Sequence, residues 1–411
     1  MSRIRSLFQV TRIRDTFRVS NLREALGEFL QEGDVLLLVL CLIASGFGLI
    51  LVYSATRYNP KMANLPLKQA ASVVLGVICY IFFTFVDIEV LMEKWKWGVL
   101  FSILFILALR TPLGVAGESG NLNWLDIPGI PFNIQPAEIV KLFFVLLLAK
   151  QMTWLKNSGQ GLGSFPSVAQ LAGTLLATCG LIFVISGDAG MVVIYALIFV
   201  VMIWTGGVDK RWLIFAFLLL AAAVAAAVIF LPETKYWSDY RIMRFRVLFD
   251  HSLDVLGIGW HQTRSLLAIG SGQLTGEGFL HGTQTQSALS SALPGRQTDF
   301  IFAVCGEEFG LIGCIGLLLT LVAIIVRCFY DGICARSSFL SLVAVGFFGM
   351  LCSQVILNIG MCLYLAPVIG ITLPFYSQGG SSVLTMYAAM GIVSGIRMRS
   401  LPSWLRDRGN L

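Results

Sequence analysis

The sequence predicts an all-α integral membrane protein, a polytopic bundle of about ten transmembrane helices with one large extracytoplasmic loop. Three observations predict it. Of the 411 residues, 57% are hydrophobic and 13% charged, with a mean hydropathy of +0.82. A soluble domain carries roughly 25% charged residues, so this chain has too little charge to cover a water-facing surface. Apolar runs recur at lengths near the roughly 20 residues that cross a hydrocarbon core. Finally, Lys and Arg gather in alternate connections between those runs.

Ten apolar segments can be drawn, near 35–55, 68–88, 96–111, 137–155, 168–186, 189–206, 211–231, 298–327, 338–363 and 379–397. They divide the chain into a basic tail (1–34), a membrane domain (35–397) that includes the loop 232–297, and a short basic tail (398–411). The first segment is too long, and too far from the N-terminus, to read as a cleaved signal peptide. The N-terminal tail carries Arg3, Arg5, Arg12, Arg14, Arg18 and Arg23, which predicts a cytoplasmic N-terminus. The same side then receives Lys94 and Lys96, Lys150 and Lys156, Lys210 and Arg211, Arg327 and Arg336, and the arginines of the C-terminal end. The loop 112–136, on the opposite side, has no Lys or Arg. The first tail mixes Arg with Ile, Leu, Val and Phe. It fits an amphipathic helix on an anionic inner leaflet as well as it fits a disordered basic tail.

Several functions are excluded or unsupported. The nine cysteines are scattered and form no C-x-x-C pair, which suits small buried hydrophobes. His251, His261 and His281 have no metal-ligand spacing. No P-loop supports ATP-driven transport, and nothing points to nucleic acid.

The long hydrophilic stretch 232–297 contains Lys235, Arg241, Arg244, Arg246, Arg264 and Arg296. Long loops escape the positive-inside bias. A cation-rich loop beside the bilayer suits an anionic ligand there, such as a lipid pyrophosphate or ordinary anionic headgroups, and Arg binds phosphate through two parallel hydrogen bonds. Within this stretch, the glycines of AIGSGQLTGEG (268–278) predict tight turns and close backbone approach to a substrate.

Polar residues inside apolar runs are the next signal. Glu138 and Lys141 in QPAEIVKLF are spaced i, i+3 and predict an ion pair at a helix start. Asp188, between glycines, either caps the following helix or lines a cavity. Gln354 and Asn358 share a face at i, i+4, which predicts hydrogen bonds between helices. LPFYSQGGSS (373–382) reads as a re-entrant or cavity-lining turn. In GRQTDFIFAVCGEEFG (295–310), Asp299 sits at the mouth of an apolar helix, placed either to start it or to act as a general base at the membrane surface. Glu307 and Glu308 lie roughly 12–13 Å further along at 1.5 Å per residue. They are expected to form a buried pair matched to a cation such as Lys141.

These residues carry a resemblance. QPAEIVKL (135–142), GDAG (187–190), DYRIMR (239–244), SLLAIGSGQLTGEGFLHGTQ (265–284), TDFIFAVCGEEFGLIG (298–313) and NIGMCLYLAPVIGITLPFYSQGGSS (358–382) resemble the motifs of the SEDS family of RodA, FtsW and SpoVE, in the family's order. GEGFLHGTQ is more similar to the RodA branch, and Gly306 to the FtsW branch. The chain departs from the family pattern at Asn123-Trp124, Gly187-Asp188, Pro294-Gly295-Arg296-Gln297 and Ser377-Gln378.

The resemblance implies a peptidoglycan glycosyltransferase of the bacterial plasma membrane. It would polymerise lipid II on the outer face, with both termini cytoplasmic, beside a class B penicillin-binding protein that supplies the transpeptidase. It implies that Asp299, in the Thr-Asp-Phe motif, is catalytic. Arg241, Arg244, Arg264, Lys141, Gln284 and Ser381 are then the candidates for binding substrate. Glu138, Asp188, Glu307, Glu308 and Asn358 are the structural or cavity set. A single catalytic carboxylate predicts inversion at the anomeric carbon. Pyrophosphate chemistry often uses magnesium or manganese, but no external carboxylate cluster is dedicated to one, so no cofactor is assigned. A lipid II flippase or a scaffold for the transpeptidase is the alternative class. A transporter should distribute charge through several helices and repeat its broken helices. Here charge concentrates at one loop and one helix mouth, and no internal repeat is evident.

Overall fold

The structure is a computed structural model and describes residues 27, 29–117, 121–129, 132–159, 161–230, 243, 246–248, 257–289 and 291–400. Both expected tails fall almost wholly outside these residues, as do Arg241 and Arg244. The long helices are α1 (Val35–Thr56), α2 (Leu65–Phe85), α3 (Trp95–Leu107), α4 (Pro136–Asn157), α5 (Phe165–Ser186), α6 (Ala189–Gly206), α7 (Lys210–Phe230), α8 (Ile258–Ser271), α9 (Ile301–Ile333), α10 (Ser338–Cys362) and α11 (Gly380–Ser400). Each of the ten apolar segments coincides with one of these helices. Six spans, Val35–Thr56, Pro60–Phe85, Phe165–Ser186, Ala189–Gly206, Ile301–Ile333 and Ser338–Cys362, are long and apolar enough to cross a membrane.

Start signals are local. Asp34 caps α1 by accepting from the Leu37 N–H, Asp188 caps α6 through Met191, and Ser337 caps α10 through Leu340. Pro stands in the first turn of α2, α4 and α5, where its missing N–H costs nothing. The bundle centres on α10, which packs against α4, α6 and α9, and on α11, which packs most closely on α2. Gly391 permits that approach, because a Cβ there would lie 2.4 Å from the Tyr80 carbonyl oxygen. At one end, Asp34 and Asp331 are buried beside Arg327 and Arg397. Arg327 Nε reaches Asp34 Oδ2 at 2.7 Å, and this four-charge cluster ties α1, α9 and α11 together.

The stretch 232–297 is not simply a loop. Its residues 258–271 form α8, which packs against α9 and α10. Gln262 Nε2 donates to the carbonyls of Met361 and Ala366, and Ser265 Oγ to that of Cys362. Before α4, a short antiparallel hairpin of β1 (Gly114–Ala116) and β2 (Leu122–Leu125) continues through a bridge from Leu125 to Ile134.

The glycine-rich segment corrects a sequence expectation. Its close approach is to α9, not to a substrate. Helix α9 is broken at Gly310, whose φ of 65° and ψ of −162° are non-helical. A break inside an apolar bundle strands backbone groups that must find partners in protein. Segment 272–278 supplies them. Leu311 and Ile312 donate to the carbonyls of Gln273 and Leu274, while Glu277 and Gly278 donate to those of Glu307 and Glu308. The fit leaves no room for side chains, since a Cβ on Gly272 would lie 1.9 Å from the Gly306 carbonyl oxygen. Gly272→Ala is therefore expected to cost about 1–3 kcal/mol of stability through overpacking. A thermal midpoint unchanged in detergent would contradict this docking.

Candidate active site

Asp299 belongs to a turn built by Gly295, which holds a φ of +62° and accepts from the N–H groups of Thr298 and Phe300. Helix α9 starts two residues after Asp299, with Phe300 at the cap position. The backbone of Asp299 is clamped. Its carbonyl accepts from Asn358 Nδ2 at 2.9 Å and from the Cys362 thiol at 3.6 Å, both on α10. Its carboxylate lies against Gly370, where a Cβ would sit 3.8 Å from Oδ2. The side chain is half-buried.

The segment 363–379 is non-helical and wraps this turn. Asn358 also donates to the Ile371 carbonyl at 2.7 Å. Ser377 Oγ donates to the Thr298 carbonyl at 2.6 Å, and the Gln378 N–H to the Gln297 carbonyl. Gln69 on α2 pins the same segment by bonding Ser377 and Gly379. The expected re-entrant turn is thus a collar around the aspartate. The departures at Gln297 and Gln378 meet through their backbones, which any residue other than proline supplies.

Of the other candidates, Asp188 and Ser381 lie beside the collar, through Gly190 and Ser382. Asp188 Oδ1 caps α6, while Oδ2 accepts from Asn123 Nδ2 and Gln135 Nε2 at 3.0 and 3.2 Å. The following Gly190 packs on the collar, for a Cβ there would lie 2.4 Å from the Ile369 carbonyl oxygen. The Glu138–Lys141 ion pair forms at 2.8 Å, and both side chains are buried. Lys141→Met would strand the Glu138 carboxylate and is expected to cost about 3–5 kcal/mol. Adding Glu138→Gln should restore part of the loss in thermal unfolding, and no restoration would argue against the pair. Ser381, in the first turn of α11, is buried with no hydrogen bond to its hydroxyl among the described residues, beside Ser382, whose hydroxyl bonds Thr372 at 3.0 Å. The residues that start α6, α9 and α11 contact the collar, and Gln135, before α4, bonds Asp188. The partial positive charge of helix N-termini favours anions there.

Two expectations need correction here. Glu307 and Glu308 are not matched to Lys141, which is taken by Glu138. Glu307 instead accepts from the N–H groups of Gln284 and Thr285 at 2.6 and 2.8 Å and from the hydroxyls of Thr283 and Thr285. Glu308 accepts from Ser54 Oγ at 2.5 Å and Gln286 Nε2 at 3.0 Å. Neutral donors aimed at a carboxylate hold it without a direct ion pair; they engage both oxygens of Glu307 but only Oε1 of Glu308, whose Oε2 is buried with no hydrogen bond among the described residues. Gln284, a substrate-binding candidate, thus gives its N–H to this anchor. Arg296 lies fully buried behind the same loop. It stacks on Tyr58 at 3.7 Å and donates to the carbonyls of Thr285, Ser287, Leu289 and Leu293. Burial lowers its pKa, and the Tyr58 and Glu307 charges oppose that. The second correction concerns Gln354. Among the described residues it makes no side-chain hydrogen bond, although Asn358, one turn on, makes two.

Arg264, on α8, stacks on Trp260 at 4.1 Å. Among the described residues no group of three or more His, Cys, Asp or Glu is placed to hold a metal ion. Sequence reasoning missed Gln69, Ser54, Thr285 and Gln286. For Gln69 and Ser54 the available signal was a polar residue inside an apolar run.

These features define a multi-pass helical membrane protein with a carboxylate site at one end of its bundle. The chain belongs to the cell cycle protein family of FtsW, RodA and SpoVE, whose family model matches residues 34–401, and it is RodA-like. It is 32% identical over 371 residues to the peptidoglycan glycosyltransferase MrdB of Escherichia coli, covering 89% of this chain and 93% of that one. It is 31% identical to the stage V sporulation protein E of Bacillus subtilis, covering 88% and 96%. Among solved structures it resembles a chain described under "structural coordination of polymerization and crosslinking by a peptidoglycan synthase complex". The TM-score is 0.74 at 26% identity, over 90% of this chain and 98% of that one. A point mutant of the Thermus thermophilus rod shape determining protein RodA aligns with a TM-score of 0.63 at 25% identity, over 92% and 98%.

Proposed function

We infer that this chain is a peptidoglycan glycosyltransferase that polymerises lipid II by inverting transfer, with Asp299 as general base. The observation that carries the assignment is the half-buried Asp299, its backbone fixed by Asn358 and Cys362 and its carboxylate set against Gly370. Glycosyl transfer needs one proton removed and one leaving group stabilised. The acceptor hydroxyl oxygen bonds the anomeric carbon as the bond to pyrophosphate breaks. The proton goes to Asp299, and the electron pair leaves with undecaprenyl pyrophosphate. The helix N-termini beside the collar, Arg264 and Ser381 supply positive charge and donors toward the pyrophosphate. Arg241 and Arg244 belong to the same proposed clamp and lie outside the described residues. The buried Glu138–Lys141 pair is the proposed structural support of α4 in this reading.

The active end faces outward and both termini face the cytoplasm in this reading, following the distribution of Lys and Arg. A class B penicillin-binding protein is the proposed partner, in keeping with the synthase complex to which the fold is similar. The test is to purify the chain with and without such a transpeptidase, add lipid II, and run the product on a gel. A ladder of glycan strands is expected. No polymer with any partner, together with movement of lipid II across vesicles, would replace this reading with the flippase.

A further inference from the structure

A pocket of about 690 Å³ opens between α3, α4 and α5, away from the collar. Its rim residue Lys150 lies nine positions beyond Lys141 on α4, about 14 Å along the axis. The interior is apolar, formed by Val99, Ile103, Phe143, Leu147, Ala177 and Leu181. Most of the hydroxyls in its wall are already engaged, and Gln170 and Lys150 are at its edge. Ser102 and Thr178 donate to carbonyls of their own helices, and Thr174 donates to Gln151. Ordered water needs two to four polar partners, and this wall offers few, so the space suits hydrocarbon.

The rim is different. Trp95 and Trp154 stand 39% and 57% exposed at one end, as aromatic residues do where hydrocarbon meets headgroups. Lys150 donates to the Met92 carbonyl and, as an ammonium with three protons, has donors to spare. Lys94, Lys96 and Lys156 lie on the flanking turns. Of the carboxylates nearby, Asp87 and Glu89 pair with Arg399 and Arg336, which leaves Glu93 against four lysines.

We propose that this pocket binds one acyl chain of an anionic membrane phospholipid, with the headgroup phosphate at Lys150. The apolar interior takes the chain, and the lysine rim selects the charge. The site is independent of Asp299 and lies toward the opposite end of α4.

Native mass spectrometry of the purified full chain tests this. The protein is incubated separately with phosphatidylglycerol, with phosphatidylcholine of the same chains, and with undecaprenyl phosphate. Wild type is expected to retain one phosphatidylglycerol, about five-fold over phosphatidylcholine, the scale of one lysine near an anionic surface. Ala177→Trp, which fills the pocket, should lose that lipid. Lys150→Gln should keep a lipid but lose the preference for charge. Ser102→Met is a second filling variant should Ala177→Trp fail to purify. Retention of phosphatidylglycerol by the filled variants, equal retention of phosphatidylcholine by wild type, or preference for undecaprenyl phosphate overturns the proposal.

Discussion

Asp299→Asn is expected to lower the turnover number for lipid II polymerisation by about 10²- to 10⁴-fold, the usual contribution of a positioned general base. The Michaelis constant should change little, because the amide keeps the size of the carboxylate. The thermal midpoint should stay near that of wild type. The clamps on this turn are the Asn358 and Cys362 bonds to the Asp299 carbonyl, which the substitution leaves in place. A split in which KM rises and the turnover number holds would make Asp299 a binding group instead.

Glu307→Ala is the second large effect, and it falls on stability. Glu307 is buried and collects two backbone N–H groups and two hydroxyls from residues 283–285. Removing it leaves those donors without an acceptor, at about 1–3 kcal/mol each for the buried ones. With two fully buried donors, a loss of about 2–6 kcal/mol is expected in thermal or denaturant unfolding. Glu307→Gln should lose less, because one oxygen still accepts. The loss should appear equally in an Asp299→Asn background, since the two residues serve different purposes. An unchanged midpoint for Glu307→Ala would refute the anchor.

Much of this was legible in the sequence because it is local. Hydropathy placed the helices, and Asp188 stands where a cap belongs. The i, i+3 spacing of Glu138 and Lys141 is a one-turn contact, readable without the fold. The partners of Glu307 and Glu308 were not legible. They come from residues 54 and 283–286, which are remote from or folded back onto α9, and no spacing rule links them. Expecting a cation treated the two acids as isolated charges in lipid. The break at Gly310 brings a hydrogen-bonding loop beside them. That break also explains the glycine-rich segment, whose small residues read as substrate contacts until the helix backbone occupied the space. The collar was recognisable as a non-helical interruption after α10, but its closeness to Asp299 is a tertiary fact.

The most direct test of the account sets wild type and Asp299→Asn side by side. Both are reconstituted with the same transpeptidase and supplied with lipid II in the leaflet on the Asp299 side. Glycan length is then read on a gel. A ladder from wild type and none from the variant is the predicted result. Ladders of equal intensity from both would contradict it.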